Sequence, residues 1–211
     1  LNYNSLKIFK YMRYERKFQF LPCYLNLITV FLKSNGFKEI YNKRIINSLY
    51  YESDNLDLYQ DSINGLNEKQ KIRLRFYDSN SREWQIEYKK KIEFLNEKIY
   101  SDLKDNNKNN LIPVHYLDKN YLIKNLYAPK IIDCFYKPKV FISYTRFYFI
   151  SHDKELRITL DFGIYFMKAN LYPSYVLIGK RRLFDKAVLE MKYRKDYYPD
   201  LKFINSICTK F

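Results

Sequence analysis

One segment of the sequence, Lys71-Ile72-Arg73-Leu74-Arg75-Phe76, strictly alternates three cations with three apolar residues. Because successive side chains of a strand point to opposite faces, this pattern predicts a strand with one charged face and one apolar face. Like charges aligned on such a face repel their neighbours across a sheet unless something negative neutralises them. The segment therefore predicts a half-buried antiparallel strand whose charged face has a negative partner.

The same alternation recurs elsewhere in the chain. Each further segment places the following polar residues on one predicted face: Glu15 and Lys17; Glu87, Lys89 and Lys91; Arg157, Thr159 and Asp161; Glu190 and Lys192. A single segment of this kind fits a sheet with one solvated face. Five together favour a closed barrel with a charged lumen and an apolar exterior covered by helices. Such a lumen would bind a dense polyanion and a metal ion.

The composition limits the class of protein. The chain has 211 residues, which predicts a single domain over residues 1–211, and its formal net charge is +15. An aromatic content of 19% with only 4 Gly and 6 Pro excludes a disordered or collagen-like chain. The charge predicts affinity for polyanions, although frequent Asn, Lys, Ile and Tyr also fit an AT-rich coding sequence.

Several kinds of site find no support in the sequence. Three cysteines without short spacings, Cys23, Cys134 and Cys208, favour a reducing cytoplasmic setting over a disulfide framework. The two histidines lack the spacing of a zinc site, and neither a dinucleotide fingerprint nor a phosphate loop is present. No apolar run is long enough to span a bilayer as a helix, and no secretory signal opens the chain.

Periodicity and turn signals predict an α+β fold dominated by strands. Helices are expected over Pro22–Ser34, over a short segment between a cap at Asp54 and a stop at Gly65, over Glu93–Leu103 and over Asp118–Tyr127. Strands are expected at Met12–Phe20, Arg44–Glu52, Lys69–Tyr77, Trp84–Ile92, Val140–Ile150, Glu155–Phe166, Ala187–Tyr193 and near Cys208–Phe211.

The charged segments also form an ordered series of motifs. In chain order these are Arg13-Tyr14-Glu15-Arg16-Lys17-Phe18, Ser48-Leu49-Tyr50-Tyr51-Glu52-Ser53-Asp54, Lys71-Ile72-Arg73-Leu74-Arg75, Glu87-Tyr88-Lys89-Lys90-Lys91-Ile92, Ser143-Tyr144-Thr145-Arg146, Leu156-Arg157-Ile158-Thr159-Leu160-Asp161, Leu189-Glu190-Met191-Lys192-Tyr193 and Thr209-Lys210-Phe211. This series resembles the vacuolar transporter chaperone (VTC) polyphosphate polymerase domain, a branch of the triphosphate tunnel metalloenzymes within the CYTH-like superfamily. Glu52 departs from the family pattern, in which Asp is usual.

The resemblance implies a fold and a set of site residues. The fold would be a closed antiparallel β-barrel of about eight strands, the triphosphate-tunnel fold, with flanking helices. The residues implied to cradle phosphate oxygens and act in catalysis are Lys17, Arg73, Arg75, Lys89, Arg146, Arg157, Lys192 and Lys210. Further substrate contacts are expected from Glu15, Lys71, Lys91 and Tyr144, and Glu190 is expected to hold Mn²⁺ or Mg²⁺. Glu15, Lys71, Lys91 and Asp161 also fit structural ion pairs.

The function implied is an ATP-dependent polyphosphate polymerase that acts on ATP and inorganic polyphosphate or pyrophosphate. It would be cytoplasmic, with membrane-associated partner subunits and no specific nucleic acid. One alternative is a triphosphatase on the same fold. Hydrolytic relatives typically carry E-x-E-x-K on the first strand, whereas Glu15 is followed here by Lys17. The other alternative is a non-catalytic protein that binds polyphosphate or another polyanion.

Overall fold

The structure is a computed structural model and describes residues 7–78, 83–92, 95–104, 136–171, 176–194, 196–197, 199, 203 and 206. In these residues the fold is mostly antiparallel β-sheet with two α-helices. The strands are β1 (Lys7–Phe20), β2 (Lys38–Glu52), β3 (Glu68–Tyr77), β4 (Glu83–Ile92), β5 (Leu95–Lys104), β6 (Lys137–Ile150), β7 (Arg157–Leu171), β8 (Val176–Ile178), β9 (Arg182–Leu183) and β10 (Ala187–Arg194). The helices are α1 (Leu25–Ser34) and α2 (Asp57–Ile63), and a 3₁₀ turn (Pro22–Tyr24) precedes α1.

The chain divides into two compact units, and four long strands pass from one unit into the other. Unit 1 comprises Leu1–Tyr11, Ile46–Ile142 and Phe166–Arg182, and unit 2 comprises Met12–Ile45, Ser143–Tyr165 and Leu183–Phe211. Hydrogen-bonded neighbours follow the order β10-β1-β5-β4-β3-β2-β6-β7-β8, with further pairings of β9 and of β10 with β7. The predicted α+β class with an antiparallel sheet and flanking helices is confirmed, whereas closure of the sheet into a barrel is not established and stays a prediction.

In unit 1, the register of β2, β3, β4 and β5 separates an apolar face from a charged one. Leu49 lies opposite Leu74, and Leu74 lies opposite Ile86, and none of these three side chains is accessible to solvent. One residue along, Arg73 lies opposite Glu87 on the other face. The period-2 pattern of β3 therefore produces the two faces that the sequence predicts.

In unit 2, β10 lies between β1 and β7 and brings apolar residues beneath α1. Leu189 lies opposite both Phe18 and Leu160. Ile28 and Leu32 of α1 are fully buried and belong to the same core as Leu160 and Leu189. Because Leu32 follows Ile28 by four residues, both lie on one face of α1, and this spacing attaches the helix to the sheet. The charged residues of β10 occupy the opposite face.

Most predicted elements are confirmed, with strands that extend beyond their predicted ends. The helix predicted over Glu93–Leu103 is wrong, because residues 95–103 belong to β5 and pair with β4. Glu, Lys and Leu favour a helix intrinsically, but ten consecutive register pairs to β4 outweigh that preference. The predicted helix over Asp118–Tyr127 and the last strand at Cys208–Phe211 lie outside the described residues.

The predicted cap of α2 is also wrong. Asp54 pairs with Lys137 and Lys139 across the surface of unit 1. The backbone N–H of Asp57 donates instead to Ser53 Oγ at 3.0 Å, and that of Leu58 donates to Glu52 Oε2 at 3.1 Å. These contacts satisfy donors at the start of the helix, which lack carbonyl partners within it.

Candidate active site

Three cations surround one carboxylate on the charged face of unit 1. Glu87 Oε2 lies 2.5 Å from both Nε and Nη2 of Arg73. Glu87 Oε1 accepts a hydrogen bond from Lys98 Nζ at 2.9 Å and lies 3.5 Å from Arg75 Nη1. We call Arg73, Arg75, Glu87 and Lys98 the β3–β4 cluster. It holds three positive charges and one negative charge, so it carries excess positive charge.

Burial and neighbouring charges control protonation in the β3–β4 cluster. Glu87 is 1% exposed; burial raises its pKa, but Arg73, Arg75 and Lys98 together lower it to about 2. The pKa of Lys98 is lowered by burial, which the charge of Glu87 opposes. Tyr50 Oη accepts a hydrogen bond from Arg73 Nη1 at 3.1 Å. Burial raises the pKa of Tyr50, but the positive charges of Arg73, Arg75 and Lys71 lower it by a larger amount. The net shift of the Tyr50 pKa is therefore downward.

The remaining predicted cations of unit 1 extend this positive face. Lys71 lies opposite Lys89, and Lys89 lies opposite Lys98, so three lysines occupy one row across β3, β4 and β5. Lys91 lies opposite Asn96 and is exposed. Like charges directly opposite one another destabilise a sheet.

A second group of charges occupies unit 2. Arg146 binds Asp161 in a bidentate manner, with Nε 2.5 Å from Oδ1 and Nη2 2.6 Å from Oδ2. Glu190 Oε2 lies 3.0 Å from Lys192 Nζ and 3.8 Å from Arg146 Nη2, and Glu190 Oε1 lies 3.6 Å from Lys17 Nζ. We call Lys17, Arg146, Asp161, Glu190 and Lys192 the β7–β10 cluster. Here three cations share two carboxylates.

The carboxylate of Glu190 stays ionised at neutral pH although it is buried. Burial raises its pKa, but Lys192, Lys17 and Arg146 lower it to about 2. Burial lowers the pKa of Arg146, but the hydrogen bonds to Asp161 raise it by a larger amount. The net shift of the Arg146 pKa is therefore upward. Burial lowers the pKa of Lys192, and Glu190 opposes that shift. At neutral pH the β7–β10 cluster thus presents a charged carboxylate among cations.

The donors beside Glu190 fit a hard divalent cation. Thr159 lies opposite Glu190 in register, and its Oγ1 is buried without a hydrogen-bond partner. Mg²⁺ prefers oxygen donors, keeps several waters, and commonly binds through one or two carboxylates plus substrate phosphates. Within the described ranges, no group of three or more His, Cys, Asp or Glu could hold a metal ion. Three cations around Glu190 also repel a metal ion, so the arrangement suits a metal that arrives together with phosphate.

The structure places the other predicted site residues of unit 2 near this cluster. Lys192 lies opposite both Glu15 and Arg157, and Arg157 is exposed. The guanidinium of Arg146 lies 5.2 Å from the ring centroid of Tyr144. Lys210 lies outside the described residues. Apart from Lys210, the predicted residues therefore occur in two groups, one in each unit.

Sequence reasoning missed Lys98 and the central position of Glu87. Lys98 was missed because the sequence of its segment predicts a helix. A signal was available: Asn96, Lys98, Tyr100, Asp102 and Lys104 are polar or tyrosyl at every second position, which is typical of one face of a strand. Glu87 was recognised only as part of a motif, since its role as a shared ion-pair partner depends on the register of three strands.

The VTC domain family model matches residues 10–210 of the chain. The chain belongs to the VTC domain family. The match includes every residue of both clusters, and the family membership predicted from the ordered motifs is confirmed. No curated protein matches the chain.

Three solved structures are similar to this VTC domain at low sequence identity. A proposed adenylate cyclase from Bacillus halodurans is similar with a TM-score of 0.55 and 14% identity, covering 95% of this chain and 90% of its own. HpAC1 from Hippeastrum, a proposed adenylyl cyclase with a dominant triphosphatase activity, has a TM-score of 0.44 and 12% identity, with 93% and 84% of the two chains covered. A proposed adenylate cyclase from Vibrio parahaemolyticus has a TM-score of 0.46 and 12% identity, with 93% of this chain and 83% of that chain covered. The first of these likenesses shows the fold.

Among the described residues of the VTC domain, neither helix has the length and apolar character needed to cross a bilayer.

Proposed function

We propose that this VTC domain is an ATP-dependent polyphosphate polymerase that transfers the γ-phosphoryl group of ATP to the end of a polyphosphate chain. The observation that carries the proposal is the β3–β4 cluster, where three cations share one buried carboxylate beside a row of three lysines. An excess of positive charge on a semi-buried face suits a ligand with several adjacent negative charges. Consecutive phosphates of a triphosphate or polyphosphate have this character.

Phosphoryl transfer needs positioning and charge neutralisation more than covalent assistance from the protein. A terminal oxygen of polyphosphate would attack the γ-phosphorus of ATP, the bond from that phosphorus to the β–γ bridging oxygen would break, and ADP would leave. Arg73 and Arg75 offer guanidinium forks for phosphate oxygens, while Lys71, Lys89 and Lys98 offer point charges. In the β7–β10 cluster, Lys17, Arg146, Arg157 and Lys192 would add further phosphate contacts.

A divalent ion, Mn²⁺ or Mg²⁺, would be held by the carboxylate of Glu190 with Thr159 Oγ1 as a second donor. When bound, it supplies Lewis-acid neutralisation of charge on the phosphate oxygens. Arg146 positions Glu190 from one side, and the bidentate contact of Asp161 in turn fixes Arg146. The metal requirement, the two substrates and a cytoplasmic location with membrane-associated partner subunits belong to the proposal.

One contact favours the polymerase over a triphosphatase. Lys17 lies opposite Glu190, with 3.6 Å between Nζ and Oε1. A carboxylate in place of Lys17 would give metal ions and water a second ligand beside Glu190. A cation there favours the retention of a second polyanion over the activation of water.

The proposal is tested by incubation with ATP and Mn²⁺ or Mg²⁺, followed by electrophoresis for long phosphate chains and by measurement of released phosphate. We expect a polymer ladder, loss of polymer in Glu190→Gln, and about a hundredfold slower synthesis in Arg73→Ala. Arg194→Ala is the control, since it removes a cation whose partner is the exposed Asp196. Release of phosphate without polymer would establish the triphosphatase instead. Tight polyphosphate binding without turnover would establish a binding protein.

The choice between polymerase and triphosphatase is tested separately at the first strand. Lys17→Glu would place a second carboxylate beside Glu190. We expect this variant to lose polymer synthesis and to release phosphate faster than the wild type does. Lys17→Gln removes the cation without adding a carboxylate and serves as the matched control. If both variants synthesise polymer at the wild-type rate, the argument from Lys17 is wrong.

A further inference from the structure

A cavity of about 480 Å³ lies within unit 1, between α2 and the ends of β2 and β3. Its walls include three tyrosines and several aliphatic side chains, among them Tyr50, Tyr51, Leu56, Tyr59, Ile72 and Ile142. Small-molecule sites are commonly concave, mostly apolar and of this size, with a few polar groups that orient the ligand. Of the residues proposed above to contact phosphate, Lys71 lines this cavity.

Two residues that line the cavity, Tyr50 and Lys71, lie next to Arg73 of the β3–β4 cluster. Tyr50 lines the cavity, and its hydroxyl accepts the hydrogen bond from Arg73. Lys71 also lines the cavity and lies two residues before Arg73, on the same face of β3. A ligand whose charged part contacts Arg73 therefore has an apolar compartment directly beside that contact.

The lining of the cavity favours an uncharged part of such a ligand. Glu52 lines the cavity, and its Oε2 accepts a hydrogen bond from the backbone N–H of Leu58 at 3.1 Å. A phosphate placed beside Glu52 would meet its carboxylate and apolar walls, which compensate poorly for its lost hydration. The cation of the lining, Lys71, lies two residues from Arg73 on the same face of β3, where the phosphates are proposed to bind. A flat, neutral ring with polar edges fits aromatic walls better, because bases stack favourably on tyrosine side chains.

We propose that this cavity is the subsite for the nucleoside of a nucleoside triphosphate whose phosphates contact the β3–β4 cluster. This inference rests on the proposed function and extends it: the cavity distinguishes the phosphoryl donor from the polyphosphate chain, which has no base. Tyr59 is the side chain through which the inference is best examined. It lines the cavity from α2 and is 54% exposed, so its truncation spares the core of unit 1.

The experiment compares ATP with inorganic triphosphate by isothermal titration calorimetry on the full chain, for the wild type and Tyr59→Ala. We expect Tyr59→Ala to weaken ATP binding about tenfold and to change triphosphate binding less than twofold. Ile63→Ala is the matched control, because Ile63 lies on the same helix, is 57% exposed and does not line the cavity. A second variant, Ile142→Trp, fills the cavity and should likewise weaken ATP binding alone.

The outcomes separate this inference from the proposed function. Selective loss of ATP binding in Tyr59→Ala, with Ile63→Ala unchanged, supports the nucleoside subsite. If Tyr59→Ala binds ATP as tightly as the wild type does, or loses both ligands equally, the inference is overturned while the phosphate site stands. If the wild type binds neither ATP nor triphosphate, the proposed function fails and the inference fails with it.

Discussion

The two charged clusters differ in the ratio of cations to carboxylates. In the β3–β4 cluster, Arg73, Arg75 and Lys98 contact one shared carboxylate, that of Glu87. In the β7–β10 cluster, a second carboxylate, Asp161, satisfies Arg146 in bidentate geometry. The first cluster therefore retains more positive charge, whereas the second keeps a carboxylate beside the buried hydroxyl of Thr159. In the proposed function, this difference corresponds to anion binding in unit 1 and metal-assisted chemistry in unit 2.

The largest expected effect comes from removing the carboxylate of the β3–β4 cluster. Glu87→Gln leaves three cations around an uncharged side chain, and loss of one partner from a buried ion pair costs about 3–5 kcal/mol of unfolding free energy. Glu190→Gln should cost less, since Asp161 still balances Arg146. Urea denaturation measures both variants. Addition of inorganic triphosphate should restore most of the lost stability of Glu87→Gln, and equal losses without rescue would contradict the proposed difference.

Low pH should destabilise the fold by protonating the buried carboxylates of both clusters. The pKa of Glu87 and that of Glu190 lie at about 2, below the ordinary value of 4.5, so the charged forms stabilise the fold above pH 4.5. This stabilisation, on the order of 3 kcal/mol for each group, is lost as the pH falls from about 5 to 2. Urea denaturation at a series of pH values measures the slope. Glu87→Gln should show a shallower slope than the wild type, and an unchanged slope would remove Glu87 from the explanation.

Metal-free binding of polyanions should depend more on the β3–β4 cluster than on the exposed cation of unit 2. Charge-assisted hydrogen bonds contribute about 1.5–3 kcal/mol, so Arg75→Ala should weaken triphosphate binding by roughly tenfold to a hundredfold. Arg157→Ala should have a smaller effect because Arg157 is exposed. Titration calorimetry with EDTA present measures both, and Arg194→Ala controls for net charge. The reverse order of effects would exchange the roles proposed for the two clusters.

The smallest expected effect on stability comes from Thr159→Val. The hydroxyl of Thr159 has no partner, so an apolar replacement of the same shape should change the unfolding free energy by less than about 1 kcal/mol. If the hydroxyl helps to hold the metal ion, the variant should need a higher Mg²⁺ concentration for half-maximal activity. Thr159→Ser is the control variant, because it retains the hydroxyl. An unaltered Mg²⁺ requirement in Thr159→Val would exclude Thr159 from the metal site.

Local sequence patterns were sufficient to predict secondary structure where the tertiary contacts of a segment agree with its intrinsic helix or strand preference. The alternation around Arg73 predicts both faces of β3, and the ordered motifs predict the family before any coordinates are considered. The segment around Lys98 shows the limit. Its residues favour a helix in isolation, and only pairing with β4 makes it a strand. Asp54 shows the same limit on a smaller scale, because a distant lysine, Lys137, competes for the side chain expected to cap α2.

The sequence by itself determined the alternation of charged and apolar faces, the series of charged motifs and the family to which they belong. These properties depend on the identity and spacing of neighbouring residues. Only the tertiary structure decided that Glu87 joins three cations, that Arg146 pairs with Asp161 and that a cavity lies beside Tyr50. Each of these contacts depends on strand register and on the packing of a helix against strands. Register fixes which side chains lie opposite one another, and spacing within one strand does not contain that information.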